Sequence, residues 1–429
     1  VLQGFGDFPS PKAFVTAEWQ QAKENVVKLL YSARIQKLRP ASYSRVLEDM
    51  RARDTLESNS GWDSFARRSL PEVKQRAVEA AENGLWKTYP AIALFRNYNS
   101  KTRLVWMFPM SANLVEGSFF QPLQSAIVKS DLGPTFFAPW IGFEQVRSLV
   151  TETYAAGKHV AASDFSSTDA HFHLETSLQV CDVIEQCFQA RFRASLRESI
   201  ATMHTIPLLI GPDAMLVGHH GVSSGSNWTN FIETIFDWIL AEYVGIISGG
   251  QFKGLYAIGD DMSWVSDKYD DGFEDFLESV GESVGQIIKA EKTTNDPGKV
   301  KTLQRLIQKG YSRPTDGLLR CVYPTIRALK SSVFPERFHN PKLWSSDMFC
   351  ARQFMILENC VDHPLFEEFV QFVVKGNDNL PEFAKKSSKH LDEVTGKSKF
   401  LPGLNPTYNQ ERRDTSLAGF ESIRIARDC

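Results

Sequence analysis

The chain lacks any run of about 18 or more apolar residues, so no transmembrane helix and no membrane segment are expected. Val1-Leu2-Gln3-Gly4-Phe5-Gly6-Asp7 lacks the basic-then-apolar layout expected of a signal peptide. An opening at Val1 rather than Met is expected of a fragment or a processed product. The six cysteines (Cys181, Cys187, Cys321, Cys350, Cys360, Cys429) form no C-x2-C pair and are not interleaved with His. They read as reduced, mostly buried thiols of an intracellular protein, without a zinc site. Charge of one sign is missing too: the net charge is −3 and the pI is near 6.4. That excludes the strongly basic surface of a general nucleic-acid coat. RNA binding by such a chain requires Lys and Arg segregated into an internal channel. No repeat or low-complexity tract interrupts the sequence.

With 429 residues and 42% hydrophobic content, the chain suits a soluble globular protein of two or three subdomains. Apolar residues at three- and four-residue spacing predict helices in 14–52 and 70–86. Strands are expected from Tyr89 to Met110, at Val160-Ala161-Ala162 up to Asp164, and as a pair over 206–218 turning at Gly211-Pro212-Asp213. Phe231, Ile232, Ile235, Phe236, Trp238 and Ile239 predict a long buried helix after Ser226. Beyond residue 310 the chain reads as mainly helical, with one helix after Pro364 that stops at Gly376. The tail from Lys386 is polar and is expected to pack loosely or to contact a partner.

Chemistry concentrates in three places. Tyr256-Ala257-Ile258-Gly259-Asp260-Asp261-Met262-Ser263-Trp264 has the pattern of a hairpin whose tip carries two acids, with Gly supplying the turn. Upstream, Ser163-Asp164-Phe165-Ser166-Ser167-Thr168-Asp169 is a second acidic strand end. Between them lies Gly221-Val222-Ser223-Ser224-Gly225-Ser226-Asn227-Trp228-Thr229, a small-residue loop that runs into a helix. Carboxylates from two strands are what paired Mg²⁺ ions need, since such ions take oxygen ligands and substrate phosphates. Taken alone, Asp164 also reads as a solvated strand-end acid and Asp260-Asp261 as turn decoration. His219-His220 are not expected to bind metal.

The order D-x4-D, S-G-x3-T, G-D-D resembles the palm of viral RNA-dependent RNA polymerases, closest in style to picobirnavirus- and partitivirus-like enzymes of double-stranded RNA viruses. Further segments extend the likeness over roughly residues 55–375. Arg96-Asn97-Tyr98-Asn99-Ser100-Lys101-Thr102-Arg103-Leu104-Val105-Trp106 resembles the basic fingers element, and Ser58-Asn59-Ser60-Gly61-Trp62 the segment that admits template. Ala290-Glu291-Lys292-Thr293, after an amphipathic helix, resembles the palm element with a mobile lysine. Leu303-Gln304-Arg305-Leu306 resembles the primer-grip strand, and Val333-Phe334-Pro335-Glu336-Arg337 with the helices after it a thumb.

The resemblance implies an α+β right-hand fold: fingers and fingertips in 1–155, an antiparallel-sheet palm in 156–310 with a fingers insertion near 190–218, and a helical thumb with the tail in 311–429. It implies RNA-directed nucleotidyl transfer to an RNA 3′-OH. Asp164, Asp260 and Asp261 would bind two Mg²⁺ ions, with Mn²⁺ as a substitute, and Lys292 would protonate leaving pyrophosphate. Arg96, Lys101, Arg103, Asp169, Ser224, Gly225 and Thr229 would bind the NTP, and Ser60 and Gly61 the template. Asp169 would accept a hydrogen bond from the ribose 2′-OH; its ordinary reading is a helix N-terminal acid. Glu233 departs from the Asn or Asp usual four residues after the threonine, and Asn230 is expected to face elsewhere. Template and product RNA, NTPs and a viral capsid protein are the implied partners, with the virion interior and host cytoplasm as locations. The rival readings are a reverse transcriptase-like polymerase and a catalytically silent RNA-binding protein associated with a capsid. The acid at Asp169 and the Ser224-Gly225…Thr229 loop favour RNA synthesis over the first.

Overall fold

The structure, a computed structural model, describes residues 4–52, 55–98, 101–334, 341–398 and 416–429. Its strands are β1 (Ala91–Tyr98), β2 (Lys101–Met107), β3 (His159–Asp164), β4 (Leu208–Gly211), β5 (Ala214–Leu216), β6 (Phe252–Ile258), β7 (Asp261–Ser266), β8 (Lys299–Thr302), β9 (Arg305–Ser312) and β10 (Leu319–Val322). They form three sheets, ordered β2-β1-β4-β5, β3-β7-β6 and β10-β9-β8. Helices surround them, so the class is mixed α and β as expected. No described helix is long and apolar enough to cross a membrane.

The chain divides into two compact units. The first comprises Val1–Asn97, Lys101–Trp140 and Gly157–Pro297. Its centre is the Trp228–Ile247 helix, which is apolar on nearly every face and therefore buried. Trp19, from the Ala17–Ser32 helix, packs edge-on against Tyr243 and tilted against Phe236. The Trp228–Ile247 helix also packs against β6. Most of the segments expected as fingers (1–155) and as palm (156–310) fall in this unit, but 98–100, 141–156 and 298–310 belong to the second.

The second unit is built mainly from Ile141–Ala156 and Gly298–Cys429. Its ion network is partly buried: Arg313 holds Asp362 through two bonds of 2.6 Å, the bidentate geometry a guanidinium favours.

The fold corrects two expectations. Leu303 and Gln304 are not strand: both have positive φ, 47° and 64°, and they turn β8 into β9. Neither is Gly or Asn, so nothing local announced the turn. Where described, the tail is not loose, because Leu391, Val394, Leu417, Phe420 and Ile423 are buried. Short helices separated by proline and glycine hide the apolar period there. Asn230 is taken up with the site below. In Val333-Phe334-Pro335-Glu336-Arg337, the last three residues lie outside the described residues, as do Asn99, Ser100 and the side chain of Lys101.

Candidate active site

The antiparallel pairing of β3 with β7 sets Asp164 directly opposite Asp261. In the β6–β7 hairpin Ile258 faces Asp261, leaving Gly259-Asp260 as a two-residue turn. Gly259 has φ 58°, a left-handed value that glycine adopts without Cβ strain at the first position of such a turn. Directly opposed residues share a face of the sheet, so register alone brings Asp164 and Asp261 together, with Asp260 beside them. The Phe165 N–H donates to the Asp260 carbonyl at 3.4 Å, and Thr168 Oγ1 donates to Asp260 Oδ2 at 3.2 Å.

Beneath the turn, the Trp228–Ile247 helix presents Asn230, Glu233, Thr234 and Asp237. Thr234 Oγ1 accepts from the Gly259 N–H at 2.8 Å. A Cβ on Gly259 would lie 2.8 Å from Asn230 Nδ2 and 3.5 Å from Glu233 Oε2. Asn230 therefore faces the acidic turn, against expectation. Residues 230, 233, 234 and 237 sit at i, i+3, i+4 and i+7, a single helical stripe. That polar stripe on an apolar helix is a signal legible in sequence that pairwise reading of Glu233 and Asn230 misses. Neither carboxyl oxygen of Asp237 has a hydrogen-bond partner.

The acids crowd one another. Burial, then Asp260, Asp169 and Asp261, hold Glu233 well above the carboxylate range. Burial, then Asp260, Glu233 and Asp261, do the same to Asp237. Burial raises Asp164, with Lys292 opposing and Asp260 adding. It raises Asp169, with Asp260 adding and Arg103 opposing. Asp261 is pushed up to about 7 by burial, Asp260 and Asp164. By surface area Asp169 and Asp261 still reach solvent, so their burial is partial and the neighbouring carboxylates add to its effect.

Three oxygen-donor groups and a buried Asp164 Oδ1 that makes no hydrogen bond suit a hard divalent cation. Among the described residues no three His, Cys, Asp or Glu side chains are already drawn around one point. Like charges repel at this spacing. Lys292 Nζ, 3.8 Å from Asp164 Oδ1, offsets part of that repulsion.

The raised acids have a pH consequence. A carboxyl whose pKa is higher folded than unfolded binds protons more tightly in the native state, so its stability contribution is lost as pH rises through the folded value. Unfolded Asp titrates near 3.9 (roughly). Asp237→Asn removes one such group, and its melting temperature should exceed that of the wild type by more at pH 8 than at pH 5.5. Thermal denaturation in chelator checks this; an equal difference at both pH values would remove Asp237 from the coupled cluster.

The small-residue loop is packed tightly. A Cβ on Gly221 would lie 1.9 Å from the Asp169 carbonyl oxygen, and one on Gly225 1.7 Å from that of Trp106. Ser224 Oγ accepts from the Trp106 N–H at 3.2 Å, and Thr229 Oγ1 donates to the Ser223 carbonyl at 2.6 Å. These hydroxyls thus tie the loop to the end of β2 and to its own helix. Asp169 sits in the four-residue helix Thr168–His171, too short for a substantial dipole.

Arg103 lies exposed on β2, and Arg96 is half-buried on β1. Arg103 is near enough to pull the Asp169 pKa down. Ser60 is buried. Its hydroxyl accepts from the Ala66 N–H at 3.3 Å and its carbonyl from the Met110 N–H at 2.8 Å. A Cβ on Gly61 would meet the Phe108 carbonyl oxygen at 2.7 Å. Both residues shape the chain from within. His220 is buried, bonded to the carbonyls of Gly221 and Ile206 and packed on Trp106.

Comparison with known proteins points the same way. Residues 98–318 match the profile of the family described as viral RNA-dependent RNA polymerase. A curated protein of human picobirnavirus (strain Human/Thailand/Hy005102/-), named a potential RNA-dependent RNA polymerase, is 27% identical over 339 residues, 75% of this chain. The match spans 61% of that relative's length. The crystal structure of the RNA-dependent RNA polymerase of a human picobirnavirus superposes with TM-score 0.76 at 21% identity, covering 99% of this chain and 81% of that one. Its insertion-loop deletion mutant gives TM-score 0.76 at 21% identity, covering 99% of this chain and 80% of that one. At that identity the likeness establishes the fold.

Proposed function

The chain belongs to the viral RNA-dependent RNA polymerase family, and on that premise we propose that it is a template-directed RNA polymerase adding nucleotides from NTPs to an RNA 3′-OH. The observation that carries this is the register that opposes Asp164 to Asp261 with Asp260 on the adjoining turn. A primed template with labelled NTPs and dNTPs tests it; no NTP incorporation by the intact chain would end the reading. Preference for dNTPs would favour the reverse-transcriptase alternative, and RNA binding without synthesis the silent one.

In this reading Asp164 and Asp260 hold two Mg²⁺ ions, or Mn²⁺ in their place, and Asp261 assists the second. When bound, such ions stabilise charge on the attacking and leaving oxygens of an in-line displacement. The chain's own groups do the rest by positioning. Arg103, with Arg96 and Lys101 on the same pair of strands, binds the triphosphate through paired donors. Lys292 delivers a proton from Nζ to departing pyrophosphate. Ser224, Gly225 and Thr229 fix the loop beside the ribose, while Ser60 and Gly61 shape the template path. Residence in the virion interior and host cytoplasm, with a capsid protein as partner, extends the picobirnavirus likeness. Co-purification with recombinant capsid protein checks that extension.

Asp169 should govern sugar choice. Its carboxyl accepts a hydrogen bond from the 2′-OH, and a deoxyribose leaves it unsatisfied, which a site built around that hydroxyl rejects strongly. Asp169→Ala is expected to narrow the ratio of kcat/KM for ATP over dATP, chiefly by slowing ATP. Glu233, whose pKa is raised by burial and by the acids around it, can donate when protonated, where ionised Glu offers only acceptors. An unchanged ratio would move sugar selection to another group.

A further inference from the structure

We propose that Glu116 and Asn113 are positioning residues that clamp the Ser223–Asn227 loop in its working place. This rests on the polymerase reading above. Both residues sit on the Met110–Lys129 helix and are buried, Glu116 at 2% and Asn113 at 1% exposure. A carboxyl that deep in a core is costly unless its oxygens are bonded, and the bonds to Glu116 come from the loop, from the start of the helix behind it and from Asn113. Glu116 Oε2 accepts from Ser226 Oγ, and Oε1 accepts from the Asn227 N–H at 3.2 Å. Oε1 also accepts from Asn113 Nδ2 at 2.9 Å. Asn113 Nδ2 in turn donates to the Gly225 carbonyl at 3.1 Å, and the Asn113 carbonyl accepts from Asn227 Nδ2 at 3.2 Å.

The loop needs an outside clamp because the helix behind it has no side-chain N-cap: Asn227 stands at that position without the usual bond. The leading N–H groups of a buried helix must find partners elsewhere. Glu116 takes the Asn227 N–H, and Ser226 Oγ, itself held by Glu116, accepts from the Trp228 N–H at 3.1 Å. The clamp also reaches the segment around Ser60. Arg68 donates to Asn113 Oδ1 at 3.0 Å and to the Asn59 carbonyl at 3.0 Å. Two stretches 165 positions apart by number, Ser60 and Gly225, are thereby held to one helix.

The bonds to the loop use acceptors, while the charge of Glu116 acts on Arg68. Glu116→Gln keeps Oε1 for Asn227 and Asn113 and offers Nε2 to Ser226 Oγ, which can accept. Glu116→Ala removes all three bonds. With saturating primed RNA, Glu116→Ala should lower kcat for single-nucleotide addition by up to about 100-fold, the cost of a displacement near 1 Å, with a smaller change in KM. Glu116→Gln should restore most of it, and Asn113→Ala should fall between. Hydrogen exchange of the Asn227 and Trp228 amides should quicken in Glu116→Ala and not in Glu116→Gln. If Glu116→Ala does not fold, the Asn113→Ala and Glu116→Gln comparison carries the test alone. Unchanged exchange in Glu116→Ala, or in Asn113→Ala where Glu116→Ala does not fold, or equal kcat loss in the Gln and Ala variants, would overturn the clamp. Absence of synthesis by the wild type would overturn the polymerase reading instead, and the exchange measurement would still decide the clamp.

Discussion

Asp260→Asn should abolish nucleotide addition while leaving the protein at least as stable as the wild type. Asp260 raises the pKa of Asp164, Asp169, Glu233, Asp237 and Asp261, so its charge strains the folded state. The amide keeps the shape and an oxygen for the 3.2 Å bond from Thr168. Gly259 still makes the turn. What disappears is a charged cation ligand, and charge stabilisation worth several kcal/mol corresponds to a rate loss on the order of 10³-fold or more. The pairing of the two results is diagnostic. Lost activity together with a lowered melting temperature would make Asp260 a structural residue, and near wild-type extension would remove it from the reaction. Primer extension in Mg²⁺ alongside thermal denaturation in chelator reads both.

The acidic centre was largely legible because local rules and the sheet register agree. Val160 to Asp164 and the Gly259-Asp260 turn each announce a strand end, and pairing them needs only that hydrophobic positions face the core. The 208–216 strand pair and the buried 228–247 helix were legible for the same reason. Asn230 and Asp237 were readable in principle, since their spacing with Glu233 and Thr234 marks one helical stripe. Glu116 and Asn113 were not: their partners in the loop lie over a hundred positions away, and the bonds that make a buried Glu tolerable appear only in three dimensions. Ser60 and Gly61 stand out by type, yet their burial against Phe108 and Met110 depends on tertiary packing. The Leu303-Gln304 turn is imposed on residues with no preference for it, as tertiary context overrides propensity.

Gly225→Ala should be the most damaging single methyl in the first unit. The added Cβ would lie 1.7 Å from the Trp106 carbonyl oxygen, 2.8 Å from its carbon and 3.2 Å from the Phe108 nitrogen. All three are backbone atoms at or just beyond the end of β2, so no side-chain rotation relieves the overlap. Either the loop or the strand must move, and overpacking of this kind costs about 1–3 kcal/mol or more. Movement of the loop breaks the Asn113 bond to the Gly225 carbonyl and the Trp106 bond to Ser224. Movement of the strand shifts Arg103 relative to Asp169. Either route displaces groups assigned to the nucleotide, so nucleotide addition should fall about 100-fold and the melting temperature should drop. Gly396→Ala is the control: nothing lies within 4 Å of its Cβ position. It sits inside the Ser388–Ser398 helix, where Ala is favoured by about 0.5–1 kcal/mol. That variant should melt no lower than the wild type and retain its rate. A Gly225→Ala protein as active and as stable as Gly396→Ala would show that the loop does not sit against β2, and the assignment of Ser224 and Gly225 to the nucleotide site would fail with it.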